Sequence, residues 1–416
     1  MLLLIVLVAF APGAKAVAAE PARVLSDIDY NLDATGPSQP GANCLDLYLP
    51  PEPDGAGQGL RPVVVWVHGG GWMNGDKKNR MTDKARLFND LGYVVASLNY
   101  RLSPDISGGG FDGSFDPGRV RAPDHVRDVA EAIRWLSRNV ASHGGDPDRI
   151  VLVGHSAGAH LVSLLGTNPS WLAGRAVSEK QILGVVSLDT ETFDVREEAD
   201  PGNPLNSASR LALIWNAFGT PDEEAVDPRW ADSSPQVAAD PSDPPFLLVT
   251  QSARALRMAS NNEFATSLGE DPASAVVGVP LDHEGINTAL GSATDTTVET
   301  ARVSAFVRDV IAGAKPAGVK VTRRPARRVV IRAPRHRRVK PRKVAFAFRG
   351  TGRATGFQCR IDRQRFRSCR SPRSFRVRPG RHVFRVRPLN PSGRPGGEKA
   401  VTFRVVVRRV GRSRTQ

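Results

Sequence analysis

A serine between two glycines, set between an apolar run and a run of small residues, is the strongest constraint on the fold. Gly154-His155-Ser156-Ala157-Gly158 follows Ile150-Val151-Leu152-Val153 and precedes a helical pattern that continues to Leu165. Glycine allows a sharp turn because it has no side chain to collide with the backbone. The sequence therefore predicts a strand, a tight turn that exposes the Ser156 hydroxyl, and a helix.

A second glycine-rich motif also follows an apolar strand. His68-Gly69-Gly70-Gly71-Trp72 comes directly after Val63-Val64-Val65-Trp66-Val67. In a strand–turn–helix setting the serine is a nucleophile, and the N–H after it helps to bind an oxyanion together with N–H groups of a second glycine loop. The two motifs together predict a nucleophilic Ser156 and an oxyanion hole formed by the backbone N–H groups of Gly70, Gly71 and Ala157.

Apolar periodicity divides the first three quarters of the chain into alternating strands and helices. Residues 24–49 alternate apolar and polar side chains, which predicts an antiparallel hairpin. Strands are predicted at 62–67, 93–99, 150–154, 183–189, 246–250 and 275–279, and helices at 79–91, 125–141, 156–166, 258–269 and 295–313. Such alternation predicts an α/β fold with a doubly wound, mostly parallel sheet. The Pro-rich stretch 190–244 is expected to form a small lid.

The last quarter of the chain has a different pattern. Residues 315–343 are rich in Lys, Arg and Pro and are expected to form a linker. Short alternating apolar runs separated by turn residues then continue over 344–410, which predicts a small all-β sandwich domain. Cys359 and Cys369 are expected to form a disulfide if the chain is exported.

Charge is distributed unequally between these parts. Residues 315–416 contain 33 Lys and Arg against two acidic residues, whereas the rest of the chain contains 24 basic and 40 acidic residues. Such asymmetry indicates an appendage that binds an anionic surface or polymer, although an arginine-rich solvated surface would give the same composition. The aromatic residues alternate with Arg and fall on the inward face, so a nucleic-acid partner is not expected. An anionic cell-wall polymer or polysaccharide is the expected partner.

The N-terminus carries an apolar run without charges. Leu2 to Phe10 is too short to span a bilayer, which needs about 20 residues, and small residues follow it. Residues 1–18 are therefore expected to be a signal peptide, and the protein is expected to be secreted or attached to the cell surface. The catalytic domain is expected over 19–314.

Several segments of the sequence resemble a known family. The stretch from about Asp27 to Ala312 is similar to α/β-hydrolases of the acetyl-esterase, feruloyl-esterase and kynurenine-formamidase-like branch. The matching segments are Leu45-Asp46-Leu47-Tyr48-Leu49-Pro50, the two glycine motifs, Gly75-Asp76-Lys77, Asn99-Tyr100-Arg101-Leu102 and Gly145-Asp146-Pro147-Asp148-Arg149-Ile150. Asp282-His283-Glu284-Gly285 resembles the loop that carries the family's catalytic histidine. The tail from Val344 to Val407 resembles bacterial Ig-like repeats.

The sequence departs from the family at the third catalytic residue. The resemblance implies an aspartate just after the strand Pro245-Phe246-Leu247-Leu248-Val249, but 250–256 contain no carboxylate and Arg254 falls near the expected place. Asp189 ends the preceding strand, at the carboxyl edge of the sheet where ligands bind. Asp189 is therefore the favoured acid. Asp194, Asp282 and Glu284 are weaker candidates, and the acid could also be absent.

These residues define a predicted reaction. Ser156 attacks a small carboxylic ester, His283 transfers the proton, and Asp189 orients His283. His155 and His160 flank the serine and are expected to pack rather than react. No cofactor is implied, and no metal-binding spacing such as H-E-x-x-H is present. Two alternatives remain: amide or formamide hydrolysis by the same residues, or an inactive hydrolase-like protein that binds through its basic tail.

Overall fold

The computed structural model describes residues 23–31, 39–51, 59–108, 113–269, 274–313, 318–323, 328–334, 341–351, 354–389, 395–396 and 398–410. The signal peptide predicted for residues 1–18 lies outside the described residues.

An eight-stranded sheet forms the centre of the first part of the chain. Its strands are β1 Arg23–Asp29, β2 Cys44–Leu49, β3 Arg61–Val67, β4 Val94–Leu98, β5 Gly145–His155, β6 Ile182–Leu188, β7 Phe246–Gln251 and β8 Ala275–Val279. Their order in the sheet is β1-β2-β4-β3-β5-β6-β7-β8. Strands β1 and β2 form the predicted antiparallel hairpin, β2 is antiparallel to β4, and the six strands from β4 to β8 are parallel to one another. The predicted doubly wound, mostly parallel sheet is therefore confirmed.

Helices cover both faces of this sheet. They are α1 Met81–Asp90, α2 Asp124–Asn139, α3 Ala157–Thr167, α4 Ser170–Ala173, α5 Val195–Glu198, α6 Ala208–Phe218, α7 Pro221–Val226, α8 Pro235–Ala238, α9 Ala255–Ser267, α10 His283–Ala289 and α11 Glu299–Gly313. Alternate residues of β3 point to opposite faces: Val63 and Val65 pack with the side of α2 and α3, and Val64 and Trp66 pack with the side of α1, α10 and α11. Both faces are buried, which explains why the central strands are continuously apolar.

Helices α5 to α8 occupy the stretch 190–244, which was expected to form a lid. Leu213 and Arg210 of α6 line a pocket that also includes Ser156. This stretch therefore lies at the carboxyl edge of the sheet, beside the serine.

The C-terminal part contains only strands among its described residues. They are β9 Gly318–Arg323, β10 Arg328–Pro334, β11 Arg342–Thr351, β12 Gly356–Ile361, β13 Arg367–Ser368, β14 Arg373–Val377, β15 Gly380–Leu389 and β16 Lys399–Val410. They form a five-stranded sheet, β10-β16-β15-β12-β13, and a three-stranded sheet, β14-β11-β9. Phe346 of β11 stacks on Phe384 of β15 with ring centroids 3.9 Å apart, so both sheets contribute to one apolar cluster. The all-β prediction agrees with these strands, and the Ig-like sandwich stays a prediction.

The segment expected to be a linker contains regular structure. Within 315–343, β9 pairs antiparallel with β11, and β10 pairs parallel with β16 over seven residues. Val319, Val321 and the run Val329-Val330-Ile331 supply β-forming residues, but the Arg and Pro around them obscured this signal in the sequence. The linker expected over 315–343 therefore includes two strands that pair with strands of the C-terminal sheets.

Cys359 and Cys369 form the predicted disulfide, with Cα atoms 5.8 Å apart. The bridge links the residue that follows β13 to β12.

None of the helices described in the structure is both long and apolar enough to cross a membrane.

Candidate active site

Ser156 lies on a strained turn between β5 and α3. Its backbone has φ 54° and ψ −119°, a conformation that L-residues rarely adopt. A Cβ added at Gly154 would lie 2.4 Å from the Gly158 carbonyl oxygen, and one at Gly158 would lie 2.2 Å from the Val67 carbonyl oxygen. The flanking glycines are needed because α3 passes this close to β3 and β5. The Ser156 N–H donates to the Leu188 carbonyl (2.8 Å), which ties the turn to β6.

His283 is the first residue of α10, and its ring reaches the serine. The Ser156 hydroxyl lies 2.9 Å from Nε2 of His283. Asp282 caps the helix by accepting the Gly285 N–H (2.6 Å). The His155 ring donates from Nε2 to the His283 carbonyl (2.9 Å) and so fixes the start of α10.

A buried lysine supports the other end of α10. Lys84 of α1 is 1% exposed and donates to the carbonyls of Asn287 (2.6 Å) and Arg80 (3.1 Å). Burial lowers the pKa of Lys84 to about 8. Carbonyls at the end of a helix lack partners within the helix, so this ammonium group satisfies one of them.

Asp189, the residue after β6, contacts the opposite nitrogen of the same imidazole. Its Oδ2 lies 2.7 Å from Nδ1 of His283, and its side chain is fully buried. Thr250 Oγ1 (2.9 Å) and the Gln251 N–H (3.1 Å) donate to Oδ1, and Gln251 Nε2 donates to Oδ2 (2.6 Å). Burial alone would raise the pKa of Asp189, but the hydrogen bond from His283 and the charge of Arg257 hold it well below its usual range.

The end of β7 therefore supplies hydrogen-bond donors instead of an acid. Thr250 and Gln251 fill the region where the family resemblance implied a carboxylate, while Arg254 is exposed. The carboxylate comes from the neighbouring strand, and Asp189 has φ 54°. Its own N–H is bound to the Val249 carbonyl (2.7 Å), so β7 fixes both the backbone and the side chain of the residue.

The other acidic candidates have different partners. Asp194 caps α5 and pairs with Arg196 (2.5 Å). Asp282 caps α10, as described above, and Glu284 lies 3.7 Å from Arg80. In the described part of the chain, these three carboxylates therefore bond partners other than the His283 ring.

Arg257 is the residue of the site that the sequence did not reveal. Its Nη1 lies 2.5 Å from Asp189 Oδ2 and 3.1 Å from His283 Nδ1. Its other nitrogens form two hydrogen bonds with Glu191 (3.0 and 3.1 Å). The sequence placed the start of this helix at residue 258, but α9 begins at Ala255, which brings Arg257 into the first turn beside Asp189.

The glycine motif forms a loop against the serine turn. A Cβ at Gly69 would lie 2.9 Å from His155 Nδ1 and 3.0 Å from Ser156 Cβ. The Gly70 carbonyl accepts the N–H groups of Met73 (3.1 Å) and Asn74 (3.0 Å), which turns the chain back on itself. Gly70 and Gly71 have φ 118° and 59°. Glycine is needed at these two positions because side chains disfavour positive φ.

The histidines near the serine other than His283 are buried and neutral. Burial, followed by the proximity of His283, lowers the pKa of His155 to about 3, and burial lowers that of His160 to about 4. His160 Nε2 donates to the Ser233 carbonyl (2.8 Å). His68 bonds the Gly69 carbonyl (2.7 Å) and stacks on Tyr100. As expected, His155 and His160 hold the surrounding loops in place.

Two pockets meet at Ser156 and His283. One has a volume of about 200 Å³ and is lined mainly by the glycine loop and by Asn74, Asn79, Glu284 and Asn287. The other has a volume of about 230 Å³ and is lined by Trp72, Leu213, Thr192, Glu191, Arg210 and Arg257.

Within the described part of the chain, no group of three His, Cys, Asp or Glu side chains is placed to hold a metal ion. The arrangement can deprotonate a serine hydroxyl and support the resulting imidazolium.

Comparison with known proteins identifies the family. The BD-FAE family model matches residues 45–254, which include both glycine motifs and Asp189. The chain belongs to the BD-FAE family. The BD-FAE match ends before Arg257 and His283.

The chain is also similar to curated proteins. A probable carboxylic ester hydrolase, LipM of Mycobacterium tuberculosis (strain ATCC 25618 / H37Rv), is 32% identical over 230 residues, which cover 55% of this chain and 48% of the relative. Phenmedipham hydrolase of Pseudarthrobacter oxydans is 36% identical over 189 residues, covering 41% and 36%. The chain therefore spans about half or less of the length of these relatives.

A truncated form of a carbohydrate esterase from gut microbiota is structurally similar. Its TM-score is 0.50 at 20% identity, and the match covers 70% of this chain and 97% of that chain. At this identity the likeness shows the fold alone.

Proposed function

We propose that this BD-FAE protein is a serine hydrolase that cleaves small carboxylic esters with a triad of Ser156, His283 and Asp189. The observation that carries the proposal is the continuous hydrogen-bonded path from Ser156 Oγ through both nitrogens of His283 to Asp189, with distances of 2.9 and 2.7 Å. A serine hydroxyl is a weak nucleophile until an adjacent base accepts its proton. The named ester hydrolase among the relatives supports the same reaction class.

The reaction follows from the positions of these groups. Because Nδ1–H donates to Asp189, the free lone pair of Nε2 points to Ser156 and can accept the hydroxyl proton as the oxygen attacks the ester carbonyl. The resulting imidazolium then gives this proton to the leaving alcohol. Water repeats the sequence on the acyl-enzyme and releases the acid.

The oxyanion is assigned to backbone N–H groups. Gly70, Gly71 and Ala157 are the proposed donors, since the glycine loop packs against the Ser156 side chain and Ala157 begins α3. Preorganised donors of this kind stabilise the tetrahedral intermediate because they need no reorientation during the reaction.

The direct test is ester hydrolysis by Ser156→Ala. We expect wild type to hydrolyse p-nitrophenyl esters and Ser156→Ala to lose about 10⁶-fold in kcat. Ser163→Ala, also on α3, is the matched control and should retain activity. A Ser156→Ala variant with a tenth of wild-type kcat would contradict the assignment.

Amide or formamide hydrolysis remains an alternative, because the same triad can serve both reactions. A paired series of p-nitrophenyl esters and the corresponding p-nitroanilides and formanilides distinguishes them. Each kcat/KM is divided by the rate constant of the uncatalysed reaction, because p-nitrophenyl esters are intrinsically more reactive than anilides. A larger rate enhancement for the ester supports the first assignment, and a larger one for the anilide supports the alternative.

The basic C-terminal part is proposed to attach the enzyme to an anionic polymer of the cell wall or a polysaccharide, and the protein is proposed to be exported. Arg381 of β15 lies opposite Arg404 of β16 in the strand register, and Arg385 lies opposite Arg360 of β12. These positions give rows of guanidinium groups across the five-stranded sheet.

Phe366 is an exception to the expected inward placement of the aromatic residues. It is only half-buried, and the guanidinium groups of Arg360 and Arg387 lie over its ring. An inactive protein that uses only this tail is the remaining alternative.

A further inference from the structure

The Asp189 carboxylate oxygen that bonds the His283 ring also bonds the guanidinium group of Arg257. Oδ2 of Asp189 accepts from His283 Nδ1 and also from Arg257 Nη1, which is 2.5 Å away. The same Arg257 nitrogen is 3.1 Å from His283 Nδ1. An imidazolium formed at His283 would therefore face a positive charge on the side that also holds its counterion.

Glu191 offsets this cation. Both carboxylate oxygens of Glu191 bond the Arg257 guanidinium, at 3.0 and 3.1 Å, and Arg210 of α6 lies 3.7 Å from the same carboxylate. The Glu191 side chain is 33% exposed, whereas that of Arg257 is 11% exposed. The charges therefore alternate from Asp189 to Arg257 to Glu191.

Ionisable groups on four other elements also lie near this site. On α11, burial raises the pKa of Glu299 to about 9, so this carboxyl is uncharged at neutral pH. On β5, His155 is neutral and bonds the His283 backbone. At the start of α10, Asp282 caps the helix and Glu284 lies 3.7 Å from Arg80, the residue before α1. On α1, Lys84 contacts backbone carbonyls.

We propose that Arg257 is a positioning residue that lowers the proton affinity of His283 through the shared Asp189 oxygen, and that Glu191 limits this effect. The inference rests on the proposed function, in which His283 must be unprotonated to act as the base. In this proposal Arg257 of α9 sets the lowest pH at which the enzyme is active.

The sign of the effect follows from electrostatics. A cation close to the imidazole repels the charge of an imidazolium, and solvent screens this repulsion in part because the His283 side chain is 40% exposed. Removing the cation stabilises the imidazolium, so the acid limb of activity moves to higher pH. Removing the Glu191 charge leaves Arg257 uncompensated, so the limb moves to lower pH.

The test combines three test variants and one control variant with two readouts. The first readout is the midpoint of the acid limb of kcat/KM for p-nitrophenyl acetate. The second is the NMR titration midpoint of the His283 ring, whose signal is assigned because it is missing in His283→Gln.

We expect Arg257→Met to raise both midpoints by about 1 pH unit and Glu191→Gln to lower them by about half a unit. Arg257→Lys keeps the charge and should restore the wild-type midpoint. Arg149→Met, which removes an arginine paired with Asp146 at the start of β5, is the control and should shift neither.

A merely structural role for Arg257 gives a different result. Activity of Arg257→Met would then fall by the same factor at every pH with both midpoints unchanged, and this outcome overturns the proposal. Shifts of the same sign in Arg257→Met and Glu191→Gln also overturn it. The NMR titration needs no turnover. If the variants show the expected NMR shifts but the wild-type protein hydrolyses no ester, the proposed function is refuted and the electrostatic inference stands.

Discussion

At the scale of single residues, Asp189 is the most unusual part of the site. It adopts φ 54° and accepts donors from three elements, β7, α9 and α10. A histidine base without its carboxylate takes up the wrong tautomer more often and forms an unsupported imidazolium.

Replacing this carboxylate tests its role. We expect Asp189→Asn to lose about 10⁴-fold in kcat, as in a serine protease with the corresponding change. Asp194→Asn and Asp282→Asn are matched controls that should stay within tenfold of wild type, with folding checked by circular dichroism. If one of the controls loses its activity while Asp189→Asn stays active, the acid is that other residue.

The sequence was informative about Ser156, His283 and Asp189 because each follows a recognisable strand or motif. It was uninformative about Arg257, because an arginine near the start of a polar helix has no pattern that distinguishes it from a solvated one. Only the start of α9 at Ala255 and the position of Asp189 on the neighbouring strand bring the two side chains together.

At the scale of elements, the close approach of α3 to β3 determines where the serine lies. Gly158 faces the carbonyl oxygens of Val67 and His68, at 2.2 and 2.5 Å from an added Cβ. A methyl group there would push the helix away from the strand and move Ser156 relative to the glycine loop.

Gly158→Ala should therefore destabilise the protein and reduce its activity. We expect a loss of about 2–3 kcal/mol in the free energy of unfolding, measured by urea denaturation, because overpacking costs that much in a rigid contact. Gly174→Ala is the control, since its nearest neighbour would be 4.0 Å away at negative φ. Equal stability of the two variants would show that α3 can shift without cost.

Elements with strong periodicity were predictable, whereas elements in highly charged sequence were not. The parallel strands follow from continuous apolar runs, because both faces of the sheet are covered. Strands β9 and β10 escaped prediction because pairing with β11 and β16, rather than their own composition, specifies them. Long-range pairing of this kind is not visible in a local window of sequence.

At the scale of the whole molecule, an acidic body is joined to a basic tail. Described basic side chains on the tail strands include Arg360, Arg381, Arg385 and Arg404, whereas the acidic residues of 315–416 are Asp362 and Glu398. Glu398 pairs with Arg385 (3.2 Å), so it neutralises only part of this surface.

Removing the tail should separate binding from catalysis. A chain that ends at Ala314 should keep kcat for a soluble ester within about twofold, because the proposed triad lies before that point, and should no longer bind immobilised polygalacturonate. Binding of the full chain should weaken as salt rises, since salt screens exposed charges beyond about 10 Å at 0.1 M. Equal retention of the two chains would contradict an attachment role for the tail.

The central claim is that Ser156 is a nucleophile activated by His283, and covalent labelling tests it most directly. A fluorophosphonate probe reacts with an activated serine hydroxyl, so peptide mapping of labelled wild type should find one adduct, on the peptide that contains Ser156. Ser156→Ala should take up no label, and His283→Gln should label far more slowly although its serine is intact. Labelling of another residue, or equal labelling of wild type and Ser156→Ala, would contradict the account.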